Sequence, residues 1–194
     1  PGENAMQGGA MQSYDYSHRK GVRAISWDEF ARLSATLAER LEAAGVEIVI
    51  GIARAGLFPA TALACALRRE LYPVRVTRRV DDEVAFRTPV WRVPVATDVA
   101  GKVVVVVDEI ADTGETLAIV RDAAREHGAL RVLTACLVSH TWADPAPDVC
   151  ALVSDELVLF PWDRQVLVNG HWQPHPELEA AIAAQQSSVQ DDRV

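Results

Sequence analysis

"VVVVVDEIADTGETL", residues 103–117, decides how the rest of the chain is read. Five consecutive valines are β-branched and leave no polar face, so they belong in a strand covered on both sides. The run ends in two adjacent acids, Asp108 and Glu109, and passes at once into the turn Asp112-Thr113-Gly114-Glu115-Thr116. In open α/β sheets, ligands collect beyond the carboxyl ends of the strands, where a dry platform meets water. The acids and hydroxyls of this string fall at that position.

The turn suits a phosphate monoester. Gly114 permits close backbone approach, and Thr113 and Thr116 offer hydroxyl donors. The N–H groups opening the following helix carry partial positive charge. The preceding carboxylates cannot hold the same phosphate, so their partners are vicinal sugar hydroxyls, a divalent cation, or both. Taken alone, Asp112-Thr113-Gly114 also fits an ordinary helix N-terminus favoured by the dipole. The whole string is better explained as a site for a phosphorylated, cation-bound sugar.

Outward from it the chain alternates. Ser26 and Glu29 form a capping-box pattern, Phe30, Leu33, Leu37 and Leu41 recur at helical spacing, and Gly45 stops the pattern. The expected helix is 27–44. "EIVIGIA" (47–53) reads as a buried strand ending at Arg54-Ala55-Gly56, followed by a helix from Pro59 to Leu71 and a strand over 72–79. Strand 103–107, helix 115–127 and strand 131–138 repeat the rhythm. Shorter strands in "LVSD", "LVLF" and "QVLVNG" follow, then a helix around 176–185. The pattern predicts an α/β fold: an open, mostly parallel sheet with helices on both faces and a small appended hood.

With 194 residues and 49% hydrophobic content the chain fits one domain, placed at 21–185. Its hood lies mainly in 148–175, and the polar stretch at about 80–100 reads as a lid loop. Residues 1–20 are set aside as a cloning remnant and unstructured N-terminus, and 186–194 as a disordered tail. The formal charge of -8 argues against a nucleic-acid-gripping face, while a local basic pocket for a small anion stays compatible with it. No apolar stretch approaches the ~20 residues of a membrane helix. The three cysteines, Cys65, Cys136 and Cys150, show no CxxC spacing and read as buried free thiols in a reducing cytoplasm, the expected location.

The string at 103–117 resembles the phosphoribosyl pyrophosphate (PRPP) motif of type I phosphoribosyltransferases: apolar strand, two acids, two small or apolar residues, then Asp-Thr-Gly-x-Thr. "IVIGIARAGLFPA" (48–60) is similar to that family's pyrophosphate loop. "LVLFPWD" (157–163) is similar to the Pro-Trp-acid ending of the hood in bacterial hypoxanthine and xanthine–guanine enzymes. The resemblance spans roughly residues 25–165, in the family's order. It implies the type I fold plus hood, and transfer of 5-phosphoribose from PRPP to a nitrogenous base, a purine by closest likeness, with release of pyrophosphate. It also implies Mg2+ as cofactor, small-molecule substrates (PRPP and a base) with no nucleic acid and no membrane, and a homo-oligomer, dimer or tetramer.

Carried over position by position, the resemblance makes Asp108 and Glu109 holders of the ribose 2- and 3-hydroxyls, with Glu109 nearest Mg2+. Ile110 joins the PRPP-binding stretch, and Ala111, Asp112, Thr113, Gly114, Glu115 and Thr116 cradle the 5-phosphate. Asp112 corresponds to the acid that handles a proton on the acceptor's ring nitrogen. Arg54 and neighbouring N–H groups, Ala55 included, bind pyrophosphate. Asp163 matches a hood acid at the metal, and Arg78, Arg79 and Arg87 are lid candidates. On the acceptor side the resemblance points to His140, Leu157 and Val158.

Three positions depart from the family pattern. Ala55 stands where the pyrophosphate loop has glycine. His140 replaces a lysine that reads a purine's 6-oxo group, and Leu157 replaces a stacking aromatic; Trp142 is near enough in sequence to substitute, although a lone tryptophan more often serves a core. Two alternatives follow: the same donor with a non-purine acceptor, or a nucleotide-sensing regulator on the same fold.

Overall fold

In the computed structural model, which describes residues 19, 21–77, 79–80, 83–84, 89–175 and 182, the five valines lie at the centre of a six-stranded sheet. The elements, in chain order, begin with β1 (Val22–Ala24), α1 (Trp27–Leu41), β2 (Ile48–Ile52), α2 (Leu57–Leu67) and β3 (Glu70–Thr77). Next come the short β4 (Arg79–Val80) and β5 (Glu83–Val84), then β6 (Val90–Val93), β7 (Val103–Ala111), α3 (Glu115–Glu126) and β8 (Arg131–Ser139). The chain continues with β9 (Val149–Val153), β10 (Leu157–Leu159), β11 (Gln165–Val168) and β12 (His171–Pro174).

The sheet order is β6-β3-β2-β7-β8-β9, with β6 antiparallel to β3 and the other neighbours parallel. From β2 the chain crosses to β3 on one side; from β7 it crosses to β8 on the other. The strand order therefore reverses between β2 and β7, which is where an open α/β sheet makes its crevice. Alternation along β7 feeds two cores. Val104 and Val106 pack with Leu117 and Val120 of α3. Val105 and Val107 pack with Leu37 and Leu41 of α1 and Leu63 of α2. Burial on both faces is what the unbroken valine run requires.

Ser26 caps α1 as the sequence predicts: its Oγ accepts from Glu29 N at 3.1 Å, and Gly45, in the left-handed region, ends the 3-10 turn that follows. α2 is shorter than expected. Arg68 adopts φ 55°, closing the helix at Leu67, and Leu71 belongs to β3. No glycine or proline marks that stop, so the sequence overran it.

β7 continues through the acids to Ala111, four residues beyond the expected strand. Two further differences concern the hood. β9, expected within it, is the main sheet's edge strand beside β8. What stands apart is the β1–β10 parallel pair and the β11–β12 hairpin. Trp162 ties this part to the body, stacking on Phe58 at 4.2 Å and meeting Phe30 edge-on at 5.4 Å.

The stretch at 80–100 contains β6, paired to β3, so part of the expected lid is strand. Arg78 and Arg87 and nearly all of the helix expected at 176–185 lie outside the described residues, as does the side chain of Arg79. Cys136 is buried, but Cys65 is exposed, unlike the expectation; all three thiols are free.

Candidate active site

The site grows from a break in pairing. β2 stays in register with β7 only as far as Gly51–Val107, then turns away into the loop Ala53-Arg54-Ala55-Gly56. On its other edge β7 remains paired to β8 as far as Ala111–Ser139. Asp108 and Glu109 thus stand on a fixed strand whose β2 side has opened. Backbone order comes from one neighbour and space from the other.

The two loops touch at Gly56. A Cβ there would lie 2.6 Å from Asp108 Oδ1 and 2.9 Å from Asp108 Cα, so the close approach demands glycine. The peptide joining Ala53 to Arg54 is cis. Among the described residues only Arg68 and Asn169 are non-glycines with positive φ, so the Ala55 methyl does not occupy the left-handed region. The departure at Ala55 therefore carries no such backbone penalty. Arg54 is exposed at the mouth.

Asp108 accepts a hydrogen bond from Glu109 N at 2.9 Å. Desolvation, with the adjacent Glu109 carboxylate, holds its carboxyl well above the ordinary carboxylate range. A carboxyl so placed gains from a cation or from hydroxyl donors. Asp163 lies in the turn after β10, its N–H donating to Phe160 O at 3.1 Å. Among the described residues no three acids, histidines or cysteines gather into a metal cluster, so Asp108, Glu109 and Asp163 do not make a protein-only cage.

Beyond Ala111, the turn leads into α3, whose N-cap is Gly114 at φ +81°, with no side-chain cap. Thr113 Oγ1 accepts weakly from Glu115 N at 3.4 Å. Among the described residues the helix's first N–H groups are thus poorly satisfied, as an anion site requires. Ile110 and Thr116 are partly exposed; Thr113 and Glu115 are exposed. Read from sequence, Gly114 serves to admit a ligand. Its nearest obstacle is protein: a Cβ there would meet Pro145 O at 2.1 Å, because the loop after β8 crosses the turn, with Asp144 N donating to Thr113 O at 2.9 Å.

That loop builds a cluster around Asp112. Asp155 anchors it, accepting from Thr141 N at 2.8 Å and Thr141 Oγ1 at 2.7 Å. Trp142 then donates its indole N–H to Asp112 Oδ1 at 3.2 Å and stacks on His140 at 4.4 Å. Arg19 reaches Asp112 Oδ2 at 2.9 Å, with only 9% of its side chain exposed. It comes from the N-terminal stretch that the sequence set aside. β1 lies beside β10, and Leu157 N donates to Gly21 O at 2.9 Å, which brings this segment to the site.

His140 lies behind Asp112. Its Nδ1 sits 2.5 Å from Ser154 O, a carbonyl that can only accept, so Nδ1 carries the proton. Nε2 is then a buried lone pair without a hydrogen-bond partner among the described residues, 3.9 Å from Asp112 Oδ1. Burial, helped by Arg19, pushes the imidazole below its usual value. The ring is enclosed, 2% exposed, with Nδ1 committed to Ser154 O. Leu157 is also buried, at 5% exposure, whereas Val158 is partly exposed. Trp142, at 39% exposure, is the open aromatic beside Asp112.

Residues 25–171 match the family described as "Phosphoribosyl transferase domain". Among curated proteins, the xanthine-guanine phosphoribosyltransferase of Cereibacter sphaeroides is 29% identical over 164 residues, covering 75% of this chain and 89% of that one. The solved structure of a purine phosphoribosyltransferase from Pyrococcus horikoshii superposes with a TM-score of 0.68 at 30% identity, covering 77% of this chain and 99% of the other. The Helicobacter pylori xanthine-guanine-hypoxanthine phosphoribosyltransferase shares the fold, with a TM-score of 0.63 at 18% identity over 85% of this chain and 99% of the other.

Proposed function

The chain belongs to the phosphoribosyl transferase domain family, and from that premise we propose that it transfers 5-phosphoribose from PRPP to a ring nitrogen of a purine, releasing pyrophosphate. The observation that carries the reading is the opening of the sheet between β2 and β7. It sets the Arg54 loop, the Asp108–Glu109 pair and the uncapped start of α3 around one crevice.

Each part has a task in the reaction. The N–H groups opening α3, with Thr113 and Thr116, hold the 5-phosphate. Asp108 and Glu109 would accept from the ribose hydroxyls and would hold Mg2+. The residues would fit such an ion: among the described residues no three-ligand cluster forms, and Mg2+ usually takes only one or two protein carboxylates. When bound, Mg2+ supplies positive charge against the pyrophosphate oxygens. Arg54 adds a second positive charge at the leaving group.

As the bond from C1′ to pyrophosphate oxygen breaks, its electron pair leaves with pyrophosphate and the sugar becomes cation-like. A ring nitrogen of the base attacks C1′, and the proton on the base's other imidazole nitrogen passes to Asp112. This chemistry needs no covalent protein intermediate. The names of the Cereibacter and Pyrococcus relatives support a purine acceptor.

Titration calorimetry with PRPP tests the reading. Binding is expected in the wild type, tighter with Mg2+ than with a chelator, and lost in Asp108→Asn/Glu109→Gln. Unchanged affinity in the folded double variant would contradict it.

A further inference from the structure

Of the chain's four phenylalanines and five tryptophans, Phe30, Phe58, Phe160, Trp27 and Trp162 meet in one cluster where the hood reaches the start of α2. Trp162 lies flat against both Phe58, at 4.2 Å, and Phe160, at 4.8 Å, with 4° between the planes in each pair. Trp27 completes the group, 6.0 Å from Phe58 and 5.9 Å from Trp162. Burial alone does not account for these rings, since Phe58 is 40% exposed and Trp27 54%. What the stack adds is the fixed geometry of paired rings.

The ladder joins a rigid end to one that needs holding. Phe160 is buried in the core with Leu37 and Val105, and its carbonyl accepts from Asp163 N at 3.1 Å. Arg164 pins the same turn to the start of α1, donating to Ile25 O at 3.3 Å. At the other end, Phe58 sits in the first turn of α2, where its N–H donates to Ala55 O at 3.1 Å and Leu57 N donates to Arg54 O at 3.2 Å. The loop 53–56 has left the pairing with β7, and α2 has no side-chain cap. Phe58 is therefore fastened to the loop by its backbone and to the hood by its ring.

Resting on the function proposed above, we infer that Trp162 is a positioning residue for the leaving group. Through Phe58 it holds the loop Ala53-Arg54-Ala55-Gly56 against Asp108, so that Arg54 and the loop N–H groups are in place before pyrophosphate arrives. Trp162 acts on the loop and exchanges no proton. A loop held in its binding position spares the ligand an ordering cost, and apparent affinity falls with the fraction of molecules in which the loop is in place. One aromatic pair is worth about 2- to 10-fold in such an equilibrium.

Calorimetry with PRPP, Mg-pyrophosphate and ribose 5-phosphate tests this in wild type, Phe58→Leu, Trp162→Leu, Trp162→Phe and the Phe58→Leu/Trp162→Leu double variant. PRPP and Mg-pyrophosphate should bind about 2- to 10-fold more weakly to each leucine variant. Ribose 5-phosphate, which lacks the pyrophosphate, should bind as it does to wild type; a general loosening of the fold would weaken all three ligands. Trp162→Phe keeps a ring against Phe58 and should recover most of the affinity. The double variant should lose no more than the weaker single variant, because both substitutions remove the same stack. Phe58 is partly exposed, so Phe58→Leu should fold and carries the test by itself if Trp162→Leu does not. Unchanged Mg-pyrophosphate affinity in Phe58→Leu, or an equal loss for ribose 5-phosphate, would overturn the inference alone. A wild type that binds no PRPP would overturn the functional reading beneath it.

Discussion

Gly56 and Asp108 lie in van der Waals contact across the opening between β2 and β7, with no room between them for a side chain. A methyl at position 56 would press on Asp108 Oδ1 and on Ile52 O, each at 2.6 Å. Ile52 O and, at 2.9 Å, Asp108 Cα are backbone atoms, so the clash moves a loop rather than one flexible tip. Gly56→Ala should therefore displace the pyrophosphate loop from the acid pair. Turnover should fall at least about 10-fold, because misplacing binding groups by ~1 Å costs rate steeply. A steady-state assay showing wild-type turnover would mean that the loop contact is irrelevant to the site.

The raised carboxyl of Asp108 predicts a stability cost in the protein without ligand. A group whose folded pKa lies above its unfolded value binds protons more tightly in the folded state, so stability falls as pH rises between the two values. The penalty grows as pH rises above the ordinary carboxylate value, about 4. Asp108→Asn should raise stability at pH 7 by ~1 kcal/mol, or roughly 2–4 °C for a chain of this size. The gain should shrink below about pH 4, where the unfolded carboxyl is also protonated. Thermal melts with a constant difference at all pH values would refute the assignment.

His140 makes the opposite prediction. Its folded pKa lies below its unfolded value, with Arg19 disfavouring the charged form and Asp112 and Asp155 favouring it against the larger effect of burial. Stability is then fully present above the unfolded value, about 6.5, and is lost as pH falls below it. His140→Asn keeps a donor near Ser154 O and removes the titration, so its melting temperature should depend less on pH below about 6.5. An unchanged slope would show that the histidine is solvated. His140→Lys should destabilise, because it buries a second cation near Arg19.

Arg54 is exposed at the end of a strand, so Arg54→Ala should leave the fold intact. Losing one preorganised charged donor at the leaving group should lower turnover on the order of 10- to 1,000-fold. Full turnover in the folded variant would remove Arg54 from the mechanism.

The central part of this site was legible because strand and turn chemistry are local. Five valines demand a doubly covered strand, and the acids and the Gly114 turn follow it directly in sequence. The acceptor side was not legible, because its contacts span long sequence distances: Arg19 to Asp112 is 93 residues and Trp142 to Asp112 is 30. A stretch without periodicity gave no signal that Arg19 would be buried. For Trp142 the pairing depends on Asp155 anchoring a loop, which no local pattern encodes. β9 was misplaced for a related reason, since membership of a sheet is set by the neighbouring strand and not by the strand's own residues.

The most direct measurement of the central claim is product analysis of the full chain with PRPP, Mg2+ and a panel of purine and non-purine bases, following pyrophosphate and nucleoside monophosphate together. Pyrophosphate release that requires a purine, with one equivalent of the matching purine nucleoside monophosphate, is the predicted result. Absence of any nucleotide across the panel, from folded protein shown to bind PRPP, would contradict it.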